Sequence, residues 1–152
     1  MDIGSKCGYP ASALSNFAPH PFVIDGVECN SMEGFLQSLK FSNIEMQKEV
    51  CKLVGFSAKK RGRNKNWYTL QTLYWNGNEY KRASKEYQGL LDKAYLALAK
   101  NSGFAKALLS TRNAVLTHSI GKRKESETVL TEREFCSRLM KLREILLNGG
   151  TF

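Results

Sequence analysis

The sequence predicts an α+β, helix-dominated fold: a single compact domain, residues 1–152, with one or two small β-hairpins. Three observations carry this. Apolar residues recur at 3,4 spacing, most clearly at Tyr87, Leu90, Leu91, Ala94, Tyr95 and Leu98 and again at Phe135, Leu139, Leu142 and Leu146. Two turn dipeptides, Asp25-Gly26 and Asn76-Gly77, follow short apolar runs. The 152 residues carry no internal repeat and no inter-domain linker, and that length suits one moderate core.

Taken in order, residues 1–21 hold all three prolines and little periodicity, so they read as a loop-rich lead-in with one local signature, Leu14-Ser15-Asn16-Phe17. Phe22-Val23-Ile24 and Val27-Glu28-Cys29 flank Asp25-Gly26, a hairpin signal because a type I′ turn needs positive φ at both central residues. The hairpin leads to Asn30 or Ser31 as an N-cap, opening a short helix within 30–41. A second helix is predicted over Ile44–Val54, stopping at Gly55. Lys59-Lys60-Arg61-Gly62-Arg63-Asn64-Lys65 places five cations in seven residues and reads as a solvated loop able to hold phosphate. Trp67 to Trp75 favours a strand by its Trp, Tyr, Thr and Leu content. Asn76-Gly77 then turns the chain into a return strand at Glu79-Tyr80. Ser84 caps a helix over Lys85–Lys100, Asn101-Ser102-Gly103 breaks it, and Phe104–Leu109 forms a short helix. Residues 111–128 are irregular. Thr131-x-x-Glu134 is a capping box that opens the last helix, and Gly149-Gly150 ends it.

Composition narrows the function classes. Hydrophobic residues make up 42% and charged residues 24%, ordinary values for a globular chain. No apolar run approaches the roughly 18 residues of a membrane span. The N-terminus lacks a basic segment followed by an apolar one, so a cytoplasmic setting is expected. Four separated cysteines without C-x-x-C spacing are expected to be reduced thiols, and with two histidines they suggest no metal site. The net charge of +9 favours an anionic partner: a nucleotide, another phosphorylated compound or nucleic acid. No Walker loop, G-x-G-x-x-G or H-E-x-x-H motif is present, and no cofactor is expected.

The remaining chemistry lies in the short helix within 30–41. At about 100° per residue, Glu33, Gln37 and Lys40 share one face, with Phe35 and Phe41 beside them. Such a stripe is commonly a solvated face, and a first-turn glutamate is also favoured by the helix dipole. The same stripe could act on a glycosidic bond, whose oxocarbenium-like transition state a carboxylate stabilises or whose attacking water it activates. Phe17, Phe41, Trp67 and Trp75 could stack on a base.

Leu14-Ser15-Asn16-Phe17, then Pro21-Phe22-x-x-Asp25-Gly26, then Ser31-x-Glu33-x-x-x-Gln37-x-x-Lys40-Phe41 closely resembles the opening of the NADAR (YbiA-like) superfamily in order and spacing. Gly62-Arg63 is similar to the following G-R element of that family. Leu73-Tyr74-Trp75-Asn76-Gly77, Glu86-Tyr87-Gln88 and His118-Ser119-x-Gly121 resemble segments of one subgroup, so the likeness runs from about 14 to 145. The acidic D-x-x-W-G-x-G element of the better-known branch is absent, and His118-Ser119-Ile120-Gly121 occupies its place.

The resemblance implies a YbiA-like domain and hydrolysis of N-glycosidic bonds. The implied substrates are ADP-ribosylated guanine or nucleic acid, or a related ribosyl phosphate. Ribosylaminopyrimidine intermediates of riboflavin synthesis are an alternative, as is a non-catalytic module that binds nucleotide, ADP-ribose or nucleic acid. Carried over, Glu33 is the acid/base or oxocarbenium-stabilising carboxylate, with Lys40 beside it. Asn16, Phe17, Gln37, Phe41 and His118 line the substrate site, and Arg63 holds phosphate. Trp75 meets the base, with Trp67 the other candidate for that role.

Overall fold

A computed structural model of the chain describes residues 1–63 and 66–150. Helices dominate, with two separate two-stranded antiparallel sheets. The elements are α1 (Ala11–Leu14), β1 (Phe22–Ile24), β2 (Val27–Cys29), α2 (Met32–Ser38), α3 (Ile44–Cys51), α4 (Gly55–Arg61), α5 (Asn66–Leu70), β3 (Thr72–Trp75), β4 (Asn78–Lys81), α6 (Lys85–Ala99), α7 (Ser102–Ser110) and α8 (Glu132–Leu147). A 3-10 turn spans Glu125–Glu127.

Both hairpins form at the expected turns. Ile24 pairs with Val27 across Asp25 (φ 50°) and Gly26 (φ 76°), and Trp75 pairs with Asn78 across Asn76 (φ 51°) and Gly77 (φ 88°). The left-handed pairs match the twist of the strands they join. β1 and β2 bury alternate residues, so each lays one face on the core.

The first hairpin sets the position of α2. Ser31 is the N-cap, and its hydroxyl accepts from the Gly34 amide at 3.0 Å and donates to the Leu53 carbonyl at 2.9 Å. Gly34 has to be glycine: a Cβ there would lie 2.7 Å from the Leu53 oxygen and 3.0 Å from those of Val50 and Cys51. The end of α3 therefore packs directly on the backbone of α2.

That packing explains one correction. The helix expected to run to Val54 stops at Cys51. The Cys51 carbonyl accepts from the Asn30 amide, the Lys52 carbonyl from the Asn30 side chain, and the Leu53 carbonyl from Ser31. With these acceptors taken by the hairpin exit, the helix ends early. Gly55 (φ 59°) starts α4 rather than capping α3.

Two further expectations change. Lys59, Lys60 and Arg61 form the last turn of α4, where cations meet the negative end of the helix dipole; Asn64 and Lys65 lie outside the described residues. Trp67 opens no strand. It sits in α5, and only Thr72–Trp75 of the expected strand is extended.

The core is continuous. Leu90, Leu91, Ala94, Tyr95 and Leu98 of α6 and Phe135, Leu139 and Leu142 of α8 bury the predicted stripes together with Phe104, Ala107 and Leu108 of α7. The capping box of α8 is complete, with Thr131 Oγ1 accepting from the Glu134 amide and the Glu134 carboxylate accepting from the Thr131 amide. No helix of the described residues is long and apolar enough to cross a membrane.

A buried arginine ties the last third of the chain together. Arg82, 1% exposed, donates from Nε to the Thr128 carbonyl at 2.8 Å and from both terminal nitrogens to Glu134, at 3.1 and 2.6 Å. Gln88 donates to the same carboxylate, and the Tyr87 hydroxyl donates to the Val129 carbonyl at 2.5 Å. Residues 128–131 are thus fixed from three sides. Burial alone would raise the Glu134 carboxyl, but Arg82, the Thr131 amide and Gln88 outweigh it and hold the group below its ordinary value.

Candidate active site

A cleft of about 1240 Å³ is lined by residues of α2, α4 and α5, of the N-terminal segment and of the stretch from His118 to Thr131. Asn16, Phe17, Glu33, Gln37, Lys40, Arg63 and His118 all line it. Seven of the nine residues singled out from the sequence therefore meet in one place, although they come from four separate stretches of chain.

Glu33 is the chemical centre of this wall. Its amide donates to the Asn16 carbonyl at 2.9 Å, joining the Ser-Asn-Phe loop to the first turn of α2. Gln37, one helical turn on, donates from Nε2 to Glu33 Oε1 at 2.8 Å. Burial pushes the Glu33 carboxyl above its ordinary value, and the Gln37 hydrogen bond and the charges of Lys40, Lys59 and His118 only partly offset this. The carboxyl therefore holds its proton to higher pH than an exposed glutamate does.

Lys40 follows the end of α2 and turns back toward the cleft, where its ammonium donates to the Gly62 carbonyl at 2.6 Å. Gly62 lies against Gln37 so closely that a Cβ would fall 1.8 Å from Gln37 Oε1. That oxygen is buried and accepts no hydrogen bond. The amide orientation is nonetheless fixed, because its other end serves Glu33. Gly62 thus joins the basic segment to the α2 wall, and Arg63 follows it at the exposed edge, its guanidinium 5.8 Å from the Phe56 ring.

Asn16 is oriented from below. The buried Tyr95 hydroxyl of α6 donates to Asn16 Oδ1 at 2.8 Å, which turns the amide nitrogen away from that contact. Tyr95 was legible only as a core residue, and nothing in the sequence links its hydroxyl to a residue 79 positions earlier. Opposite, His118 Nδ1 donates to the Ile3 carbonyl at 2.7 Å, so Nδ1 carries a proton, and the ring stands edge-on to Phe135 at 5.3 Å. Asp2 also faces the cleft, but its carboxylate accepts from the Ser119 hydroxyl and amide and from Thr117. It is a brace for the His118 loop.

Two expected residues lie elsewhere. Trp75 is 2% exposed, its ring edge-on to Phe35 at 4.9 Å, and its Nε1 donates to Asp25 Oδ2 at 2.8 Å. This indole anchors the first hairpin, with Lys93 on the other carboxylate oxygen of Asp25. Trp67 takes its place on the cleft wall, packed edge-on against Tyr68 at 5.8 Å. Phe41 is half-buried outside the cleft, under the Arg61 guanidinium at 4.9 Å. It leaves the stripe because α2 ends at Ser38, so helical spacing no longer sets its direction.

Among the described residues, no group of His, Cys, Asp and Glu could hold a metal ion. The cysteines are free thiols. The cleft is lined by the Glu33 carboxyl beside those of Asp2 and Glu127, by amides, by several cations and by an indole.

Comparison with known proteins agrees with this architecture. The NMR structure of the E. coli protein YbiA matches with a TM-score of 0.63 at 19% identity, covering 97% of this chain and 83% of that one. The fold is therefore the YbiA-like one that the motif implied. A 17.1 kDa protein from the Gp30-rIII intergenic region of Enterobacteria phage T4 is 39% identical over 149 residues, 96% of this chain and 98% of that protein. The model of the bacteriophage protein GP30.3 family matches residues 8–144, and the chain belongs to that family.

Proposed function

We propose that this protein is an N-glycosidase that hydrolyses the N-glycosidic bond of ADP-ribosylated guanine, free or in nucleic acid, or of a related ribosyl phosphate. The observation that carries the reading is Glu33: a carboxyl raised by burial, on the wall of a cation-lined cleft, with one oxygen held by Gln37. In the reaction the C1′–N bond breaks and its electron pair leaves with the base. Water adds its oxygen to C1′, passes a proton to Glu33, and Glu33 returns a proton to the departing nitrogen. A raised pKa suits a group that must do both. Asn16 and Gln37 orient ribose and carboxylate, Lys40, Lys59 and Arg63 meet phosphate, and Trp67 is the cleft indole nearest to hand for the base.

The test is release of free ADP-ribose from ADP-ribosylated guanosine or DNA. Glu33→Gln keeps the side-chain shape and should lower kcat by roughly 10²–10⁴-fold, the usual worth of acid–base catalysis. Full activity in that variant would overturn the reading. The positive rim also suits a module that binds without chemistry, and that reading predicts salt-sensitive binding with no turnover by the unaltered protein.

A further inference from the structure

Two cysteines away from the cleft lie together in the core. Cys29 ends β2, Cys51 ends α3, and both are fully buried. Their side chains are in hydrogen-bond contact, Cys29 donating and Cys51 accepting, and the Ser38 hydroxyl of α2 also reaches Cys51. Beside them the Asn30 amide donates to the Cys51 carbonyl at 2.9 Å. A disulfide needs Cα atoms close together and side chains that converge. The backbone bond supplies the first condition and the thiol contact the second. The pair is also unequal. The bond to Cys51 and burial hold the Cys29 thiol above its ordinary value, whereas Cys51, as acceptor from Cys29, is held below its own. Cys51 is therefore the better nucleophile of the two.

We infer that Cys29 and Cys51 are an oxidisable dithiol, which a peroxide closes to a disulfide that clamps the hairpin exit to the end of α3. The Cys51 sulfur attacks one oxygen of hydrogen peroxide, the O–O bond breaks, and the other oxygen leaves as water with the thiol proton. Cys51 is then a sulfenic acid. The Cys29 sulfur attacks it, the S–S bond forms, the S–O bond breaks, and the hydroxide takes the Cys29 proton to leave as a second water. The two thiols lose two electrons, and the peroxide gains them. A small dithiol reverses the change by exchange. Exposed Lys52 follows Cys51, so fraying of the last turn of α3 opens the way in. The clamp bears on α2, because the Val50, Cys51 and Leu53 carbonyls lie against Gly34, the residue after Glu33. The inference stands apart from the glycosidase reading.

The experiment treats the full chain with hydrogen peroxide, quenches it, unfolds it and labels the remaining thiols with N-ethylmaleimide. Exposed Cys7 is the internal reference for peroxide exposure. By the time Cys7 is oxidised, Cys29 and Cys51 should have lost their label and the mass of two hydrogens, and a peptide map should show them joined. Buried Cys136 should keep its label. The joined chain should melt roughly 5–10 °C higher than the reduced one, since the bridge constrains the unfolded state, and dithiothreitol should reverse the shift. The amide of Asn30 should exchange more slowly in the joined form. Cys29→Ala and Cys51→Ala should each abolish the peroxide-dependent shift, whereas Cys136→Ala should keep it. Each variant is compared with itself before and after peroxide, so a loss of stability from the substitution does not enter. Should a variant fail to fold, the peptide map of the unaltered chain decides. Full labelling of Cys29 and Cys51 after Cys7 has oxidised, a bridge to Cys7 or Cys136 instead, or a joined chain that melts no higher would overturn the inference.

Discussion

Two glutamates in this protein are buried to different ends. Glu134 lies within a closed network in which Arg82, Gln88 and the Thr131 amide all donate to it, and it is held below its ordinary pKa. Among the described residues Glu33 accepts a hydrogen bond from Gln37; it faces a cleft and is pushed above its ordinary pKa. The fold stabilises the charge of Glu134 and is weakened by that of Glu33. The contrast is between a carboxylate whose charge is met by several donors and one whose burial outweighs its neighbours' charges.

The largest test of this contrast is Arg82→Ala. It strands a buried carboxylate and should cost about 3–5 kcal/mol, lowering Tm by roughly 10 °C for a chain of this size. Residues 128–131 should lose amide protection first, since Arg82 and Tyr87 hold their carbonyls.

Glu33→Gln should have the opposite sign. The folded-state pKa of Glu33 lies above the unfolded one, so the folded form keeps its proton longer. Below the unfolded value, about pH 4, both states are protonated and nothing is lost. As pH rises through the unfolded value to the folded one, the wild type loses stability that the variant does not. The variant should melt higher than the wild type at pH 7, and the gain should vanish near pH 4. Glu134 runs the other way: its contribution is present above the unfolded value and is lost as pH falls through the depressed one. Calorimetry of both Gln variants across pH separates the two cases; a gain at Glu33 that persisted unchanged into acid would refute the argument.

The smallest effect tests the two tryptophans. Trp75→Phe removes the bond to Asp25 and leaves unfilled space beside Phe35, and should cost at least about 1 kcal/mol, with the hairpin less protected against exchange. Trp67→Ala should instead weaken substrate binding. If the Trp75 variant lost affinity while the Trp67 variant kept it, the assignment of the cleft tryptophan would be reversed.

What the sequence made legible follows what local chemistry determines. Asp25-Gly26, Asn76-Gly77, the Ser84 cap and the Thr131 box are decided within a few residues, and each formed as expected. The site wall was legible for a different reason: Glu33 and Gln37 share a helical face, while the motif resemblance supplied Asn16 and Arg63. α4 and α5 escaped notice because α4 buries only Ala58 and α5 only Trp67, too little for periodicity to register. Arg82 could not be found by residue type, which places arginine at the surface. The choice between Trp67 and Trp75 depends on an indole reaching an aspartate 50 residues away, which no local pattern encodes.

The contact at Gly62 has one more consequence. Its backbone abuts the Gln37 amide, its carbonyl receives the Lys40 ammonium, and Arg63 is the next residue. A load on Arg63 is therefore passed to the neighbours of Glu33 through a single peptide unit, with no side chain between to absorb it. The basic lip and the Glu33 wall thus share one joint, and that joint is a residue with nothing beyond Cα.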